Sequence, residues 1–441
     1  MRLILSPILL VLLVLLVLIT SCSKDNVDTE SPIDSNPVTT KPNILLIIAD
    51  DMGLDATPGY SVGSIKPNMP NLQSMINNGV RFENLWSYPT CTPTRSSILT
   101  GKYGFRTRVM QVDDELSNSE TSIQKYLKDN GAGYQNAVIG KWHLSRDANH
   151  PNELGVDYYA GLLNGAVTSY WNWTFTENGV QSNSTEYTTT KFTDLAIDWV
   201  KDQDNPWFLW LAYNAPHTPF HLPPTELHSQ GNLPTDEASI DANPQPYYMA
   251  MIEAMDSEIG RLLNSMSEEE RNNTVVIFIG DNGTPNQVAQ EYRSRRVKGT
   301  VYQGGVNVPM IVYGKDVNRF NETEPALVNT TDLFATIANI AGVNVSTIND
   351  SRSFWDIVSN NSDTKVRDYG YTEIGRDSGS EDITVRNDNY KYILFSDGTE
   401  AFYNVSSDFF ETNNLLNNSS LSTTEQAVLI ELKNAINNIK N

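Results

Sequence analysis

The chain has 441 residues, two cysteines and a formal net charge of −22, from 31 Lys and Arg against 53 Asp and Glu. This acidic balance argues against nucleic acid and against acidic lipid surfaces as partners. A chain of this length can bury a large core without the help of disulfides, and its length favours two domains.

The first 41 residues are typical of an export and attachment segment. Met1-Arg2 precedes an apolar stretch that runs to Ile19, and small residues stand before Cys22, which is the layout of a secretory signal. Ile19–Cys22 resembles a bacterial lipobox, which predicts a lipoprotein signal peptide over residues 1–22 and lipidation of Cys22. A transmembrane anchor is the alternative interpretation. The polar residues 23–41 predict a flexible tether, so we expect an exported bacterial lipoprotein that meets the membrane only through its lipid anchor and faces the periplasm or the cell surface.

Apolar runs alternate with helical patterns along the next 300 residues. The alternation predicts an α/β fold over residues 42–345, with a mainly parallel sheet flanked by helices. The predicted strands are 43–49, 137–139, 207–212, 274–279 and 308–312, and the predicted helices are 69–78, 121–128, 192–200, 247–266 and 331–341.

The pattern changes after about residue 345. Two runs at 389–394 and 401–405, joined by Asp397-Gly398, predict antiparallel strands, and residues 423–439 predict a final helix. We therefore expect a smaller C-terminal α+β domain, residues 346–441, that carries an antiparallel sheet.

Polar residues follow four of the predicted strands. Because the carboxyl ends of parallel strands meet at one edge of a sheet, where ligands bind, we expect these residues to converge. Oxygen ligands without histidine or thiolate favour Ca²⁺, or Mg²⁺, over Zn²⁺. The residues at the strand ends are the possible oxygen ligands Asp50, Asp51, Asp281 and Asn282, together with Lys141, His143 and His217.

Cys91 begins the run Cys91-Thr92-Pro93-Thr94-Arg95-Ser96-Ser97-Ile98-Leu99-Thr100-Gly101. This run resembles the C-x-P-x-R signature of type I sulfatases, in which a maturation enzyme oxidises the cysteine to formylglycine (3-oxoalanine). The resemblance covers residues 43 to 315 well and the remainder loosely. It implies the alkaline-phosphatase-like fold and the hydrolysis of sulfate esters by the hydrate of the aldehyde. A disulfide between Cys22 and Cys91 is disfavoured, since the two cysteines have separate roles.

The same resemblance implies the roles of the other site residues. The metal would be held by Asp50, Asp51, Asp281, Asn282 and the modified Cys91, and Arg95 and Lys141 would steady the hydrate and the sulfate oxygens. His143 would take a proton from the hydrate, and His217 with Lys298 would protonate the departing alcohol. The family pattern after the lysine has a glutamate and an arginine where this chain has Gln303 and Asn307.

Sulfated polysaccharides or oligosaccharides are the expected substrates. His221, Arg293 and Arg295 are predicted to contact them, with a solvated charge run as the alternative for the arginines. His150 and His228 are predicted to be surface residues. For Tyr170, Trp171 and Trp173, ordinary loop packing is favoured over stacking on sugar rings.

Two other functions are compatible with the sequence. The first is a phosphodiester or phosphonate ester hydrolase of the same superfamily, and the second is a non-catalytic glycan-binding lipoprotein. Phosphatases with two zinc ions are disfavoured because the chain has only five histidines.

Overall fold

A computed structural model describes residues 41–293, 295–362, 365–376 and 379–441. The described residues belong to one compact unit, Thr40–Asn441. The predicted signal peptide with Cys22, and all of the predicted tether except Lys41, lie outside the described residues and stay predictions. Among the described helices, none combines the length and the apolar composition that crossing a membrane requires.

The described strands form a large sheet, a short hairpin and a four-stranded sheet. In chain order the strands are β1 (Asn43–Ala49), β2 (Gly79–Trp86), β3 (Gln135–Lys141), β4 (Tyr158–Leu162), β5 (Trp173–Glu177), β6 (Val180–Ser184), β7 (Trp207–Ala212), β8 (Thr274–Gly280), β9 (Asn307–Gly314), β10 (Glu322–Asn329), β11 (Thr347–Ile348), β12 (Ser351–Arg352), β13 (Gly370–Gly375), β14 (Glu381–Arg386), β15 (Tyr390–Leu394) and β16 (Glu400–Asn404).

Most of the helices stand between two strands of the large sheet in the order of the chain. They are α1 (Pro70–Asn77), α2 (Cys91–Thr100), α3 (Gly104–Thr107), α4 (Ile123–Asp129), α5 (His150–Glu153), α6 (Thr188–Lys201), α7 (Glu237–Ala242), α8 (Gln245–Ser265), α9 (Glu268–Asn272), α10 (Gln303–Val306), α11 (Asp332–Ile340), α12 (Trp355–Ser359) and α13 (Thr423–Lys440). Short 3-10 turns lie at Leu54–Ala56, Thr225–Leu227 and Leu415–Asn417.

The large sheet has the strand order β10-β2-β9-β8-β1-β7-β3-β4-β5-β6. The five adjacent strands β8, β1, β7, β3 and β4 are parallel to one another. β9 runs antiparallel between β8 and β2, and the β5–β6 hairpin continues the other edge with antiparallel pairing. The predicted α/β fold with a mainly parallel sheet is confirmed.

The side chains of β1 alternate between two apolar layers, one on each face of the sheet. Ile44, Leu46 and Ile48 pack in the layer that contains residues of α2, α4 and α11. Leu45 and Ile47 pack in the layer that contains residues of α1, α6 and α8. Successive strand residues point to opposite faces, and each such side chain contributes about 1.5–3 kcal/mol when fully buried. Burial on both faces explains why this strand is apolar throughout.

The sequence pattern did not indicate the strands β2, β4, β5, β6 and β10 of the large sheet. β10 lies at the edge of the sheet, carries several polar residues, and has an irregular register between Glu324 and Leu327, where Pro325 stands. Proline cannot donate a hydrogen bond to a neighbouring strand, so it is confined to such edge positions and bulges. The polar residues and the proline of β10 therefore explain why this edge strand lacks the apolar run that marks the central strands.

β13 to β16 form the antiparallel C-terminal sheet, and β15 and β16 are joined as predicted around Gly398, whose φ is +82°. α13 begins with a capping box between Ser422 and Glu425 and packs Leu432 and Ile436 into the core of this sheet. That core also contains Tyr88 and Tyr103 from the N-terminal part of the chain. The division into residues 42–345 and 346–441 stays a prediction.

Candidate active site

Cys91 is the first residue of α2, a helix whose ten residues are all buried. Pro93 fits the first turn, where backbone N–H groups lack intrahelical partners. Gly101 ends the helix in the left-handed conformation, with φ of +64°, which glycine adopts readily. Burial raises the pKa of the Cys91 thiol to about 11 in spite of the nearby Lys141. The unmodified thiol is therefore protonated at neutral pH and is a poor nucleophile.

Three possible metal ligands meet at the carboxyl edge of the large sheet. Ligand atoms of Asp50, Cys91 and Asp281 all lie within 4.8 Å of one another. Asp50 and Asp281 follow the adjacent strands β1 and β8, whose last residues pair with each other. Asp51 has a φ of +71°, and its N–H donates to Asp281 Oδ1 at 3.1 Å.

The oxygen atoms of this cluster fit a divalent cation. Asp50 Oδ1 and Asn282 Oδ1 are buried without a hydrogen-bond partner among the described residues, although buried oxygens normally have one. Asn282 Nδ2 donates to Asp51 Oδ1 at 2.7 Å. Burial, followed by the nearby charge of Asp50, raises the pKa of Asp281 to about 6. A cation bound to these oxygens would offset the repulsion between the carboxylates, and hard oxygen donors suit Ca²⁺ or Mg²⁺.

Two buried cationic residues flank the cluster. Arg95 Nη2 donates to Asp281 Oδ2 at 2.8 Å, and Arg95 Nη1 donates to the Lys141 carbonyl at 2.7 Å. Lys141 Nζ pairs with Asp50 and lies 3.5 Å from Cys91 Sγ. The two residues thus place positive charge beside Cys91, where an anionic group can be held.

Lys298 and His217 meet at Asp51. Lys298 Nζ lies 2.6 Å from Asp51 Oδ2, and His217 Nε2 lies 3.7 Å from the same oxygen. His217 Nδ1 donates to the Thr218 carbonyl at 2.8 Å, so in the neutral ring Nε2 carries the lone pair. Burial lowers the pKa of His217 to about 4, while Asp51 opposes this shift. Burial also opposes the charged form of Lys298, but the attraction of Asp51 outweighs it and raises its pKa.

His143 is held by two residues that sequence reasoning missed. Its Nε2 lies 3.0 Å from Asp113 Oδ1 and 3.2 Å from Thr92 Oγ1. Because a carboxylate accepts hydrogen bonds, Nε2 carries the proton, and the lone pair is on Nδ1. This nitrogen is buried and has no hydrogen-bond partner in the described part of the chain. Asp113 stands in no recognisable motif, whereas Thr92 could have been found as the neighbour of Cys91.

Gly165 packs directly against the His143 ring. A Cβ atom at this glycine would lie 2.3 Å from Cε1 and Nε2 of His143, which is closer than non-bonded atoms approach. The absence of a side chain at Gly165 therefore lets the His143 ring occupy its observed position.

The hydrogen bonds of the remaining histidines are made outside the cluster. His221 uses both ring nitrogens, one 3.0 Å from the Pro219 carbonyl and the other 3.1 Å from the Tyr187 hydroxyl. The prediction that His150 is a surface residue is wrong, since it is only 3% exposed. It accepts a hydrogen bond from Trp142 Nε1 at 3.0 Å and donates to the Leu116 carbonyl at 2.7 Å. His228 is half-buried.

Arg293 and Arg295 are exposed on the loop before Lys298. The Arg295 backbone N–H donates to Asn286 Oδ1 at 3.0 Å. Neither guanidinium forms an ion pair with a carboxylate of the described residues, and the contact of both arginines with substrate stays a prediction.

The loop that carries Lys298 is tied to the C-terminal sheet at the position where the family pattern changes. The Gln303 backbone N–H donates to Glu411 Oε2 at 2.6 Å, and Trp86 Nε1 donates to Gln303 Oε1 at 3.1 Å. The other carboxylate oxygen of Glu411 lies 2.7 Å from Lys391 Nζ in a buried ion pair. The carboxylate of Glu411, from the region of the C-terminal sheet, thus contacts the Lys298 loop at Gln303, the position where the motif described above has a glutamate.

Comparisons with known proteins agree with this fold. The family model described as Sulfatase matches residues 42–343, and the model described as N-sulphoglucosamine sulphohydrolase, C-terminal, matches residues 295–441. A protein of Formosa agariphila named Sulfatase is 26% identical over 493 aligned residues, which cover 89% of this chain and 88% of that protein.

Two solved structures share the fold. Ps i-CgsB in complex with k-i-k-neocarrahexaose has a TM-score of 0.76 at 23% identity, covering 90% of this chain and 92% of that one. A second protein, in complex with its substrate D-glucosamine-2-N,6-O-disulfate, has a TM-score of 0.75 at 20% identity, covering 91% of this chain and 98% of that one. Because the Sulfatase model matches well over half of the chain, the protein belongs to the sulfatase family and is a sulfuric ester hydrolase with the alkaline-phosphatase-like fold.

Proposed function

We propose that this enzyme removes sulfate from sulfated polysaccharides or oligosaccharides, with oxidised Cys91 as its nucleophile and one divalent cation, Ca²⁺ or Mg²⁺, beside it. The observation that carries the proposal is the meeting of Cys91 with Asp50 and Asp281 at the sheet edge. An aldehyde at Cys91 would remove the obstacle that the raised thiol pKa presents to nucleophilic attack.

The cation would be held by Asp50, Asp51, Asp281 and Asn282, together with the modified side chain at position 91. Bound there, it would supply Lewis-acid chemistry and favour the deprotonated form of the hydrated aldehyde. The two unpartnered buried oxygens, on Asp50 and Asn282, support this ligand set.

Arg95 and Lys141 bind and orient the sulfate in this proposal. Their side chains are buried, and Lys141 Nζ lies beside Cys91 Sγ. Buried positive charges that are fixed before the reaction stabilise an anionic transition state more strongly than solvated ones. His143 receives the proton of the hydrate at Nδ1, the nitrogen that the contact between Nε2 and Asp113 leaves unprotonated.

Lys298 and His217 act on the leaving alcohol. Lys298 is the charged member of the pair and supplies positive charge near the departing oxygen. His217 is neutral in the free enzyme, and the negative charge of a bound sulfate favours its protonation at Nε2. Protonated Nε2 then donates to the alcohol, which is general acid catalysis.

Sulfated carbohydrate as the substrate class is supported by the two similar structures, whose ligands are k-i-k-neocarrahexaose and D-glucosamine-2-N,6-O-disulfate. We also propose that the enzyme is exported, lipidated at Cys22, and oxidised at Cys91 by a formylglycine-generating partner of its host. Arg293 and Arg295 remain the proposed contacts for anionic sugar on the exposed side of the site, and His221 is proposed to line it.

Peptide mass spectrometry around Cys91 is the first test. Protein expressed with a maturation enzyme is expected to show a loss of about 18 Da at Cys91, the change from thiol to aldehyde. Released sulfate is then measured by ion chromatography on a panel of sulfated oligosaccharides, with phosphate diesters as the competing substrates.

The matched control is Cys91→Ala, which is expected to keep the melting temperature and lose sulfate release. Turnover that persists in this variant would exclude Cys91 as the nucleophile. An unmodified thiol, in a host that matures another sulfatase, would favour the glycan-binding function, and faster hydrolysis of phosphate diesters would favour the phosphohydrolase function.

A further inference from the structure

Trp171 is an exposed aromatic side chain that the reaction described above does not use. It is 39% exposed, whereas its neighbours Tyr170 and Trp173 are buried. Trp171 is the only tryptophan among the large hydrophobic side chains that are exposed in the described part of the chain. The interpretation that all three aromatic residues simply pack in a loop therefore fits Tyr170 and Trp173 but leaves Trp171 unexplained.

Buried rings hold the Trp171 indole in place. The ring of Tyr187 stacks on it with a centroid distance of 4.9 Å and an interplanar angle of 30°. The ring of His221 meets it at 4.9 Å and 78°. His221 is itself fixed through hydrogen bonds at both nitrogens, one of which is to Tyr187. The exposed surface of Trp171 is thus a pre-formed apolar face that loses little freedom when a ligand covers it.

The supporting rings connect Trp171 to the leaving-group side of the active site. The Tyr170 hydroxyl lies 2.6 Å from the carbonyl of His217 and 2.7 Å from the carbonyl of Asn214. The Tyr170 ring lies 4.1 Å from the His221 ring, which in turn contacts Trp171. The rings of His221 and Tyr170 thus link Trp171 to the backbone of His217, the residue proposed to protonate the leaving alcohol.

We propose that Trp171 is a stacking subsite for a neutral pyranose face, in the sugar next to the one that bears the sulfate. Pyranose rings present C–H faces that pack on aromatic rings, while their hydroxyl groups stay in water. The proposal rests on the proposed function, and it predicts that the enzyme prefers oligosaccharides over sulfated monosaccharides and aryl sulfates.

The test compares kcat and KM for a long and a short substrate. The long substrates are oligosaccharides prepared from carrageenan and from heparin, and the short one is 4-nitrophenyl sulfate. The oligosaccharide used is the one that the wild-type enzyme turns over best. For this substrate, Trp171→Ala is expected to raise KM about tenfold, equivalent to roughly 1.4 kcal/mol. For 4-nitrophenyl sulfate, both kcat and KM of the variant are expected to stay within about twofold of the wild-type values, a difference of less than about 0.5 kcal/mol.

Two further variants separate stacking from folding. Trp171→Phe keeps a planar ring and is expected to retain most of the affinity, whereas Trp171→Leu keeps apolar packing on Tyr187 and is expected to lose it. Phe320→Ala is the matched surface control. Phe320 is 63% exposed and follows β9 in the chain. The last residue of β9 pairs with the start of β8, so β9 ends at the edge of the sheet opposite the active site.

The outcomes distinguish this proposal from the proposed function. Equal KM values for wild type and Trp171→Ala on the oligosaccharide would overturn the subsite while the sulfatase assignment stands. A wild-type enzyme that prefers 4-nitrophenyl sulfate to every oligosaccharide would also overturn it. If the matured wild-type enzyme releases sulfate from no substrate, the proposed function itself fails.

Discussion

Lys141 Nζ lies 3.5 Å from Cys91 Sγ and pairs at the same time with the carboxylate of Asp50. One buried ammonium group therefore contacts both the proposed nucleophile and the proposed metal cluster. Its position at the end of β3 makes it part of the rigid sheet rather than of a mobile loop.

Replacing Lys141 by Met is expected to lower kcat for sulfate release by about 10²–10³-fold, because a fixed charge facing the transition state is lost. Lys141→Arg is expected to recover only part of the rate, since the planar guanidinium cannot occupy the place of a compact ammonium. Steady-state kinetics with circular dichroism as the folding control checks this. A Lys141→Met enzyme with the wild-type kcat would contradict the role.

Removal of the cation is expected to abolish activity and to lower the melting temperature, and Ca²⁺ or Mg²⁺ should restore both. A ligand at a hundred times its dissociation constant stabilises a protein by about 2.7 kcal/mol. Differential scanning fluorimetry with and without chelator measures the effect.

Asp281→Asn is expected to lose most of this response to the cation. The matched control is Asp332→Asn, which changes a buried carboxylate that pairs with Arg367 outside the cluster. It is expected to lower the melting temperature yet keep the response to chelator. If both variants respond like wild type, the cation is held elsewhere.

Gly165→Ala is expected to displace His143, because the new methyl group would overlap the ring. A displacement of about 1 Å in a reacting group can cost about 10²-fold in rate, so we expect a loss of that order in kcat with little change in the melting temperature. Gly370→Ala serves as the control, since the nearest atoms to a Cβ there lie at 3.4 Å. Equal rates for the two variants would argue against a role for the His143 ring.

The buried ion pair between Lys391 and Glu411 is expected to show energetic coupling. Glu411→Gln alone leaves a buried ammonium without its counter-charge, which costs about 3–5 kcal/mol in unfolding free energy. Burial already lowers the pKa of Lys391 to about 8, in spite of the attraction of Glu411. The double variant Lys391→Met with Glu411→Gln is therefore expected to be more stable than Glu411→Gln alone. Denaturant unfolding of wild type, the single variants Lys391→Met and Glu411→Gln, and the double variant checks this, and additive effects would show that the pair is not coupled.

His221 is expected to make the folded state sensitive to acid. Burial lowers its pKa to about 4, against about 6.5 in an unfolded chain, so the unfolded chain binds the proton more strongly. Protonation of His221 therefore costs the folded state nothing above about pH 6.5. The free energy of unfolding falls as the pH drops through this window, and the total loss is on the order of 3 kcal/mol below about pH 4. Unfolding free energies of wild type and His221→Gln, measured from pH 7 to about 4, are expected to converge as the pH falls. Parallel curves would argue against this assignment.

The sequence alone was sufficient for the features that contiguous residues encode. β1 is an unbroken apolar run followed by Asp50 and Asp51, and its burial on both faces follows from that pattern. The motif around Cys91 likewise predicted the family and, through the family, the fold. Strand ends of a parallel sheet share one edge, so even the approach of Asp50 to Asp281 could be expected.

Other features depend on residues that are far apart in the chain. The contact of Asp113 with His143, the approach of Gly165 to that ring, and the ion pair that ties Glu411 to Lys391 belong to no local pattern. The sequence also could not show that His150 is buried while Trp171 is exposed. Composition and spacing determined the central strands and most of the longer helices, because apolar runs and apolar periodicity are properties of contiguous residues. Only the tertiary structure decided which side chains meet, because those contacts depend on how separate elements pack on the two faces of the sheet.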